Sequence, residues 1–234
     1  MDSYKSKQYD ENNIESVLKF AKRLEGKTLR KVLYNETISK MTIEQKGNKG
    51  RYGQKIEKYY FGYDINSDKS ADFPCGLELK ATPLKFLKNG KLTPKERLVC
   101  NIIDYMGIIN ENWETSSFLE KNSNTLLVRY IDPIDNTISQ LDHMIYDVQI
   151  HNILNDKNDK EQFENDWNII VNKIKEGNAH LLSESDTKYL GACTKGSTAA
   201  KSFRSQPNSN TLAKQRAFSF KIQYMRELLN RVKD

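Results

Sequence analysis

The chain has 234 residues, with 37 Lys+Arg against 31 Asp+Glu, a net charge of +6 and 37% hydrophobic residues. That length suits one domain or a domain with appendages, and an aromatic share of 10% is too rich in core formers for a disordered chain. Its longest apolar runs, Leu126-Leu127-Val128 and Ile169-Ile170-Val171, fall far short of the roughly 20 residues of a membrane-spanning helix, so no membrane partner is expected.

Met1-Asp2-Ser3-Tyr4-Lys5 is polar and no apolar stretch of a signal peptide follows, which points to the cytoplasm. Residues 11–25 place Ile14, Val17, Leu18, Ala21 and Leu24 at helical spacing, with Gly26 as the stop. A second helix is predicted over 52–61, where Tyr52, Ile56, Tyr59 and Tyr60 recur before Gly62. The alternation of 76–82 reads as a strand, which Pro83 ends or places near an edge. Further strands are predicted at 97–103, 125–131 and 142–151, then a helix over 161–175 with Phe163, Trp167, Ile170, Val171 and Ile174 on one face. A Ser/Asn/Gly-rich loop over 194–211 leads to the basic aromatic segment 214–221, where Phe218 and Phe220 read as core residues, and to a final helix at 222–232. With no internal repeat and no long linker, a single mixed α/β domain over 1–234 is the economical reading.

Cys75, Cys100 and Cys193 form no Cys-x-x-Cys pair and fit free thiols in a reducing compartment. His143, His151 and His180 show no zinc-ligand spacing, so all six read as structural or incidental. Charge is unevenly spread: the segments 1–26, 27–97, 98–194 and 195–234 carry nets of 0, +8, −9 and +7. Were the fold to bring the two basic stretches together, they would form the footprint of a nucleic-acid partner; a merely solvated, uneven surface is the plain alternative.

Asp72, Glu78 and Lys80 form the sharpest constellation. On a strand, the period of two points Glu78 and Lys80 to one face. Two carboxylates can share a hard divalent cation while the ammonium contacts water or phosphate, an arrangement suited to phosphodiester hydrolysis. Taken alone the pattern is weak, since alternating Glu and Lys is commonly a solvated strand face.

The surroundings are more specific. Gly50-Arg51-Tyr52-Gly53-Gln54-Lys55-Ile56-Glu57, Tyr60-Phe61-Gly62, Ser70-Ala71-Asp72-Phe73 and Gly76-Leu77-Glu78-Leu79-Lys80-Ala81-Thr82-Pro83 follow one another in an order that closely resembles the MutH family of DNA endonucleases, both its mismatch-repair nicking enzyme and its Sau-type restriction enzymes. Trp113-Glu114-Thr115-Ser116, Cys193-Thr194-Lys195-Gly196 and 214–221 extend the resemblance from about residue 20 to the end. It implies a restriction-endonuclease-like core, a mixed sheet flanked by helices with the metal site at one edge of a DNA-binding cleft. By position, Asp72 and Glu78 match metal-binding carboxylates, with the Leu79 position completing the metal set. Lys80 matches the catalytic lysine, Glu57 an additional helix carboxylate, and Lys121 a lysine near the scissile phosphate.

The resemblance further implies magnesium, for which manganese can substitute, and cleavage of double-stranded DNA at GATC leaving 5′-phosphate ends. Lys49, Arg51, Thr194, Lys195, Gly196, Arg216, Ser219 and Lys221 are the expected DNA-contacting positions. Two departures stand out: the step from Asp72 to Glu78 is one residue shorter than in the mismatch-repair enzyme, and Ser219 stands where that enzyme has a tyrosine. The match at 80–83, 95–99 and 215–219 favours a type II restriction enzyme or its catalytic domain, ahead of a mismatch-repair nickase and of a noncatalytic DNA-binding module. Restriction relatives carry a second, degenerate copy of the fold that 234 residues cannot hold. A catalytic fragment is therefore expected, or a single domain that nicks one strand or pairs as a homodimer on DNA.

Overall fold

The computed structural model describes residues 8–35, 37–39, 52–63, 70–135, 137–195 and 202–231. Its contacts divide into two compact units, the first taking Met1–Glu96 with Asn124–His151 and the second Arg97–Ser123 with Asn152–Asp234.

In the first unit, helix α1 (Ile14–Ala21) starts where the Asn13 side chain accepts from the Ser16 N–H and continues as a 3-10 turn over Lys22–Leu24. The helix is shorter at its start than the apolar spacing implied, because that cap fixes the first turn. A one-turn helix α2 (Leu29–Val32) follows. Helix α3 (Tyr52–Lys55) widens into a π-helix over Ile56–Phe61, and Gly62 ends it at φ +78°. Four strands, β1 (Glu78–Phe86), β2 (Leu92–Pro94), β4 (Asn124–Ile131) and β5 (Ile145–Asn152), align in the order β2-β1-β4-β5. β1 and β4 are parallel, Glu78 opposite Thr125 through Leu84 opposite Ile131, whereas β2 is antiparallel and meets only the end of β1, Leu84–Phe86.

Strand β1 therefore runs past Pro83, so of the two expectations for that proline the edge placement holds: β2, the edge strand, pairs only from Leu84 onward. The Pro83 carbonyl accepts from the Lys95 N–H on the side of β2, so the missing proline donor faces away from β4 and costs that ladder nothing. Leu79 and Ala81 point into a core with Val17, Leu24, Ile56, Leu126, Val128 and Ile145.

In the second unit, β3 (Leu98–Ile102), β6 (Leu190–Thr194) and β9 (Arg216–Phe220) form an antiparallel sheet in the order β3-β9-β6. Helix α4 (Ser117–Asn122) is capped by the Ser116 hydroxyl, and helix α5 (Lys157–Lys175) by the Asp156 carboxylate, which starts α5 ahead of the predicted 161. Helix α6 (Ile222–Arg231) closes the described chain. Phe218 and Phe220 are core residues as expected: Phe118 lies 5.1 Å from Phe218, and Phe163 lies 5.1 Å from Phe220 and 4.9 Å from Tyr224, ring centre to ring centre.

The predicted loop 194–211 is corrected. It contains a β-hairpin, β7 (Phe203–Gln206) and β8 (Ser209–Lys214), with Asn208 at φ +53° in the turn. Strand β6 also went unpredicted; its run of small residues, Gly191-Ala192-Cys193, carries little strand signal and is held by pairing with β9. Among the described residues, no helix is long and apolar enough to cross a membrane.

Candidate active site

At the head of β1, Phe73 fixes the approach of the chain. It is 1% exposed and packs edge-on against Phe61 at 5.1 Å and Tyr63 at 4.9 Å. The next residues close a tight turn, with Gly76 N–H donating to the Phe73 carbonyl at 2.8 Å and Phe73 N–H to the Leu77 carbonyl at 3.0 Å. Gly76 sits at φ +82°, a conformation that residues with a β-carbon disfavour. This turn folds Asp72 back onto the strand, where its Oδ2 accepts from the Leu79 N–H at 2.9 Å. The shortened step between Asp72 and Glu78 thus still delivers the first carboxylate to the peptide that follows the second.

Glu78 and Lys80 share the face of β1 opposite the core, and their side chains form a direct ion pair. Glu78 is only 2% exposed, a burial that a carboxylate tolerates only with close partners. Backbone N–H and C=O of one strand residue point to the same side. With its N–H turned to Asp72, Leu79 therefore directs its carbonyl to the side of the Asp72 carboxylate, away from β4. Two carboxylates and this main-chain carbonyl are hard oxygen donors, the chemistry that suits a small divalent cation. Among the described residues, no three of His, Cys, Asp and Glu gather into a metal cluster, so the donor set here needs the carbonyl and outside oxygens to be complete.

Glu57 lies in the π-helical turn and is half-buried. Its Oε1 is 3.8 Å from where a β-carbon on Gly53 would stand, and that point is 3.5 Å from Ala81 Cβ, so Glu57 belongs to the helix packed on β1. Lys121 belongs to the second unit, half-buried near the end of α4. The expected DNA-contacting residues divide. Thr194 is exposed and Lys195 half-buried at the end of β6, where the Lys195 N–H donates to the Gln215 carbonyl at 2.8 Å. Arg216 donates to the carbonyls of Ala192, at 2.7 Å, and Leu182; Lys221 donates to those of Glu184, at 2.6 Å, and Thr187. Ser219 is fully buried in the central strand, its hydroxyl 3.4 Å from the Gly191 carbonyl it donates to. Lys49, Arg51 and Gly196 lie outside the described residues.

Sequence reasoning passed over Asp166. This fully buried carboxylate on α5 accepts the backbone N–H groups of Lys188, Tyr189 and Leu190 at 2.5 to 3.1 Å and so holds the start of β6. No local pattern marks it, because its partners stand more than twenty residues away in sequence.

Two known proteins resemble the chain. The family model of the DNA mismatch repair enzyme MutH matches residues 61–166, a span holding Asp72, Glu78, Lys80 and Lys121, and supports the restriction-endonuclease-like fold. At closer range the chain is 42% identical over 232 residues to the type II restriction enzyme Sau3AI of Staphylococcus aureus. The alignment covers 99% of this chain and 44% of that enzyme, so the chain spans less than half of its relative's length.

Proposed function

We propose that this chain is the catalytic part of a type II restriction endonuclease that hydrolyses double-stranded DNA at GATC, its two units acting as one endonuclease domain. The observation that carries this reading is the head of β1, where Asp72 bonds the Leu79 N–H and Glu78 pairs with Lys80. Asp72, Glu78 and the Leu79 carbonyl would hold a magnesium ion, with manganese as a substitute. When bound, the ion neutralises charge developing on the scissile phosphate and lowers the pKa of water. Lys80 orients the attacking water and holds a proton donor against the phosphate oxygens; Glu57 supplies a further carboxylate to that site, and Lys121 a further cation for the DNA phosphates. Attack on phosphorus expels the 3′-oxygen and leaves a 5′-phosphate and a 3′-hydroxyl. Thr194 and Lys195 at the end of β6, together with Lys49, Arg51 and Gly196, meet the duplex; Arg216, Ser219 and Lys221 support them by holding the backbone around β6 through its carbonyls.

The test is a supercoiled plasmid with one GATC site, incubated with magnesium and then with chelator, beside Glu78→Ala and Lys80→Ala. Magnesium-dependent cleavage by the intact chain, lost in both variants while DNA binding persists, is expected. Binding without cleavage by the intact chain would overturn the enzyme reading in favour of a noncatalytic module. Linear product reports cutting of both strands by a chain that pairs on DNA, and nicked circles report a mismatch-repair type of activity.

A further inference from the structure

Between Lys195 and Arg216 the hairpin β7–β8 has two unlike faces. Phe203 pairs with Lys214 and Arg204 with Ala213, so alternation sets Phe203, Asn210, Leu212 and Lys214 on one side and Arg204 and Ala213 on the other. The second side is anchored. Ala213 is fully buried, and the buried Gln206 amide accepts from the Ala179 N–H at 2.7 Å and donates to the Thr211 carbonyl. The turn is seated as well: the Asn208 amide donates to the Lys175 carbonyl at 2.8 Å, and the Asn208 carbonyl oxygen passes 2.6 Å from where a β-carbon on Gly177 would stand.

The first side is open. Phe203 is 41% and Leu212 52% exposed, and Asn210 and Lys214 are exposed beside them. No acidic residue occurs from 203 to 214, against the two positive charges of Arg204 and Lys214. A rigid two-stranded ribbon that shows apolar side chains, an amide and a cation without a single carboxylate matches a polyanion with apolar features in its groove. The major groove of DNA, about 12 Å wide, admits such a ribbon, and apolar side chains there contact the thymine methyl group. Within the same C-terminal segment, Arg216, Ser219 and Lys221 are turned inward onto carbonyls, which leaves the hairpin as its outward chemistry.

We propose that the outer face of β7–β8 reads the major groove of the substrate duplex, with Phe203 and Leu212 against thymine methyl groups and Lys214 at a phosphate. The inference rests on the endonuclease reading above. It is tested by comparing kcat/KM in magnesium for the intact chain, Phe203→Ser, Leu212→Ser and the double variant. The substrates are two GATC duplexes, one with thymine and one with uracil at every thymine in and beside the site. Both side chains lie on the surface, and circular dichroism with thermal melting verifies that the variants fold. The double variant is expected to lose about tenfold or more on the thymine duplex, and uracil to cost the intact chain several-fold but the double variant little, since the methyl partner is already gone. Lys214→Ala should lower the salt dependence of duplex binding by about one unit of slope.

Equal cleavage by all variants, or an equal uracil penalty in the intact chain and the double variant, would overturn the proposal. So would sedimentation showing an intact-chain dimer that the double variant dissolves, because the face would then be a protein interface. Should the intact chain cleave neither duplex, the endonuclease reading fails separately. Fluorescence anisotropy of the same labelled duplexes then decides the hairpin: weaker binding by the double variant supports it, and unchanged binding refutes it.

Discussion

The head of β1 in the first unit and the surroundings of β6 in the second use charged side chains in opposite ways. At the head of β1 they engage one another: Glu78 pairs with Lys80, and Asp72 lies one hydrogen bond from the intervening Leu79. Around β6 they hold main chain. Asp166 takes three consecutive peptide N–H groups, and Arg216 and Lys221 each bond two carbonyls. A charge that holds several backbone groups at once is spent on structure. A buried charge whose partner is another mobile side chain can exchange that partner for a cation or a phosphate. Residue type is the same in both units; the partner decides whether it does chemistry or architecture.

The largest effect that would break this contrast is catalytic. Glu78→Ala should reduce cleavage on the order of 10³-fold with the melting temperature little changed, and Lys80→Ala should reduce it similarly while lowering the melting temperature, since the buried Glu78 carboxylate loses its ion partner. A large loss of stability in Glu78→Ala would place that residue with the structural charges instead. Asp166→Ala should behave in the reverse manner, costing roughly 3 kcal/mol in denaturant unfolding by leaving buried N–H groups without acceptors. In the first unit, Arg129 is 1% exposed and grips Asp147 through two bonds, its Nε at 2.7 Å and Nη2 at 2.5 Å. Arg129→Met leaves that carboxylate buried beside an apolar side chain and should cost about 3 kcal/mol, whereas replacing both partners by apolar residues should recover much of it.

A smaller effect sharpens the comparison by pH. His143 is buried beside the paired rings of Tyr52 and Tyr130, with ring centres at 6.0 and 5.8 Å. Burial pushes its pKa below the ordinary histidine value; Asp132 opposes this, while Lys55 and Lys95 add to it. The unfolded chain takes up a proton near pH 6.5 that the folded chain resists, so this contribution to stability is present above that pH and is lost as pH falls below it. Denaturant titrations at pH 7 and pH 5.5 should show a decline that His143→Gln removes. If the decline persists unchanged in that variant, another group is responsible.

Much of the first unit was legible from local sequence. Alternation placed Glu78 and Lys80 on one strand face, and the order of segments around them pointed to the family. The run of β1 through Pro83 was not legible, because whether a proline interrupts a strand depends on which side its missing N–H faces. The hairpin β7–β8 was hidden in polar composition, although Pro207-Asn208 between two short alternating runs is a turn signal that would have found it. Asp166 and the inward bonding of Arg216 and Lys221 left no trace at all, since basic and acidic residues look solvated until their distant carbonyl and N–H partners are known.

The sequence by itself determined that Glu78 and Lys80 share one strand face and that its cations cluster in two stretches, because both follow from residue type and the two-residue period of a strand; the class of partner and of chemistry came from the resemblance around them. Tertiary structure alone decided which cations face outward. Hydrogen bonds between residues twenty or more positions apart turned Arg216 and Lys221 inward, and the seat made by Gly177, Lys175 and Ala179 turned Phe203, Leu212 and Lys214 toward solvent.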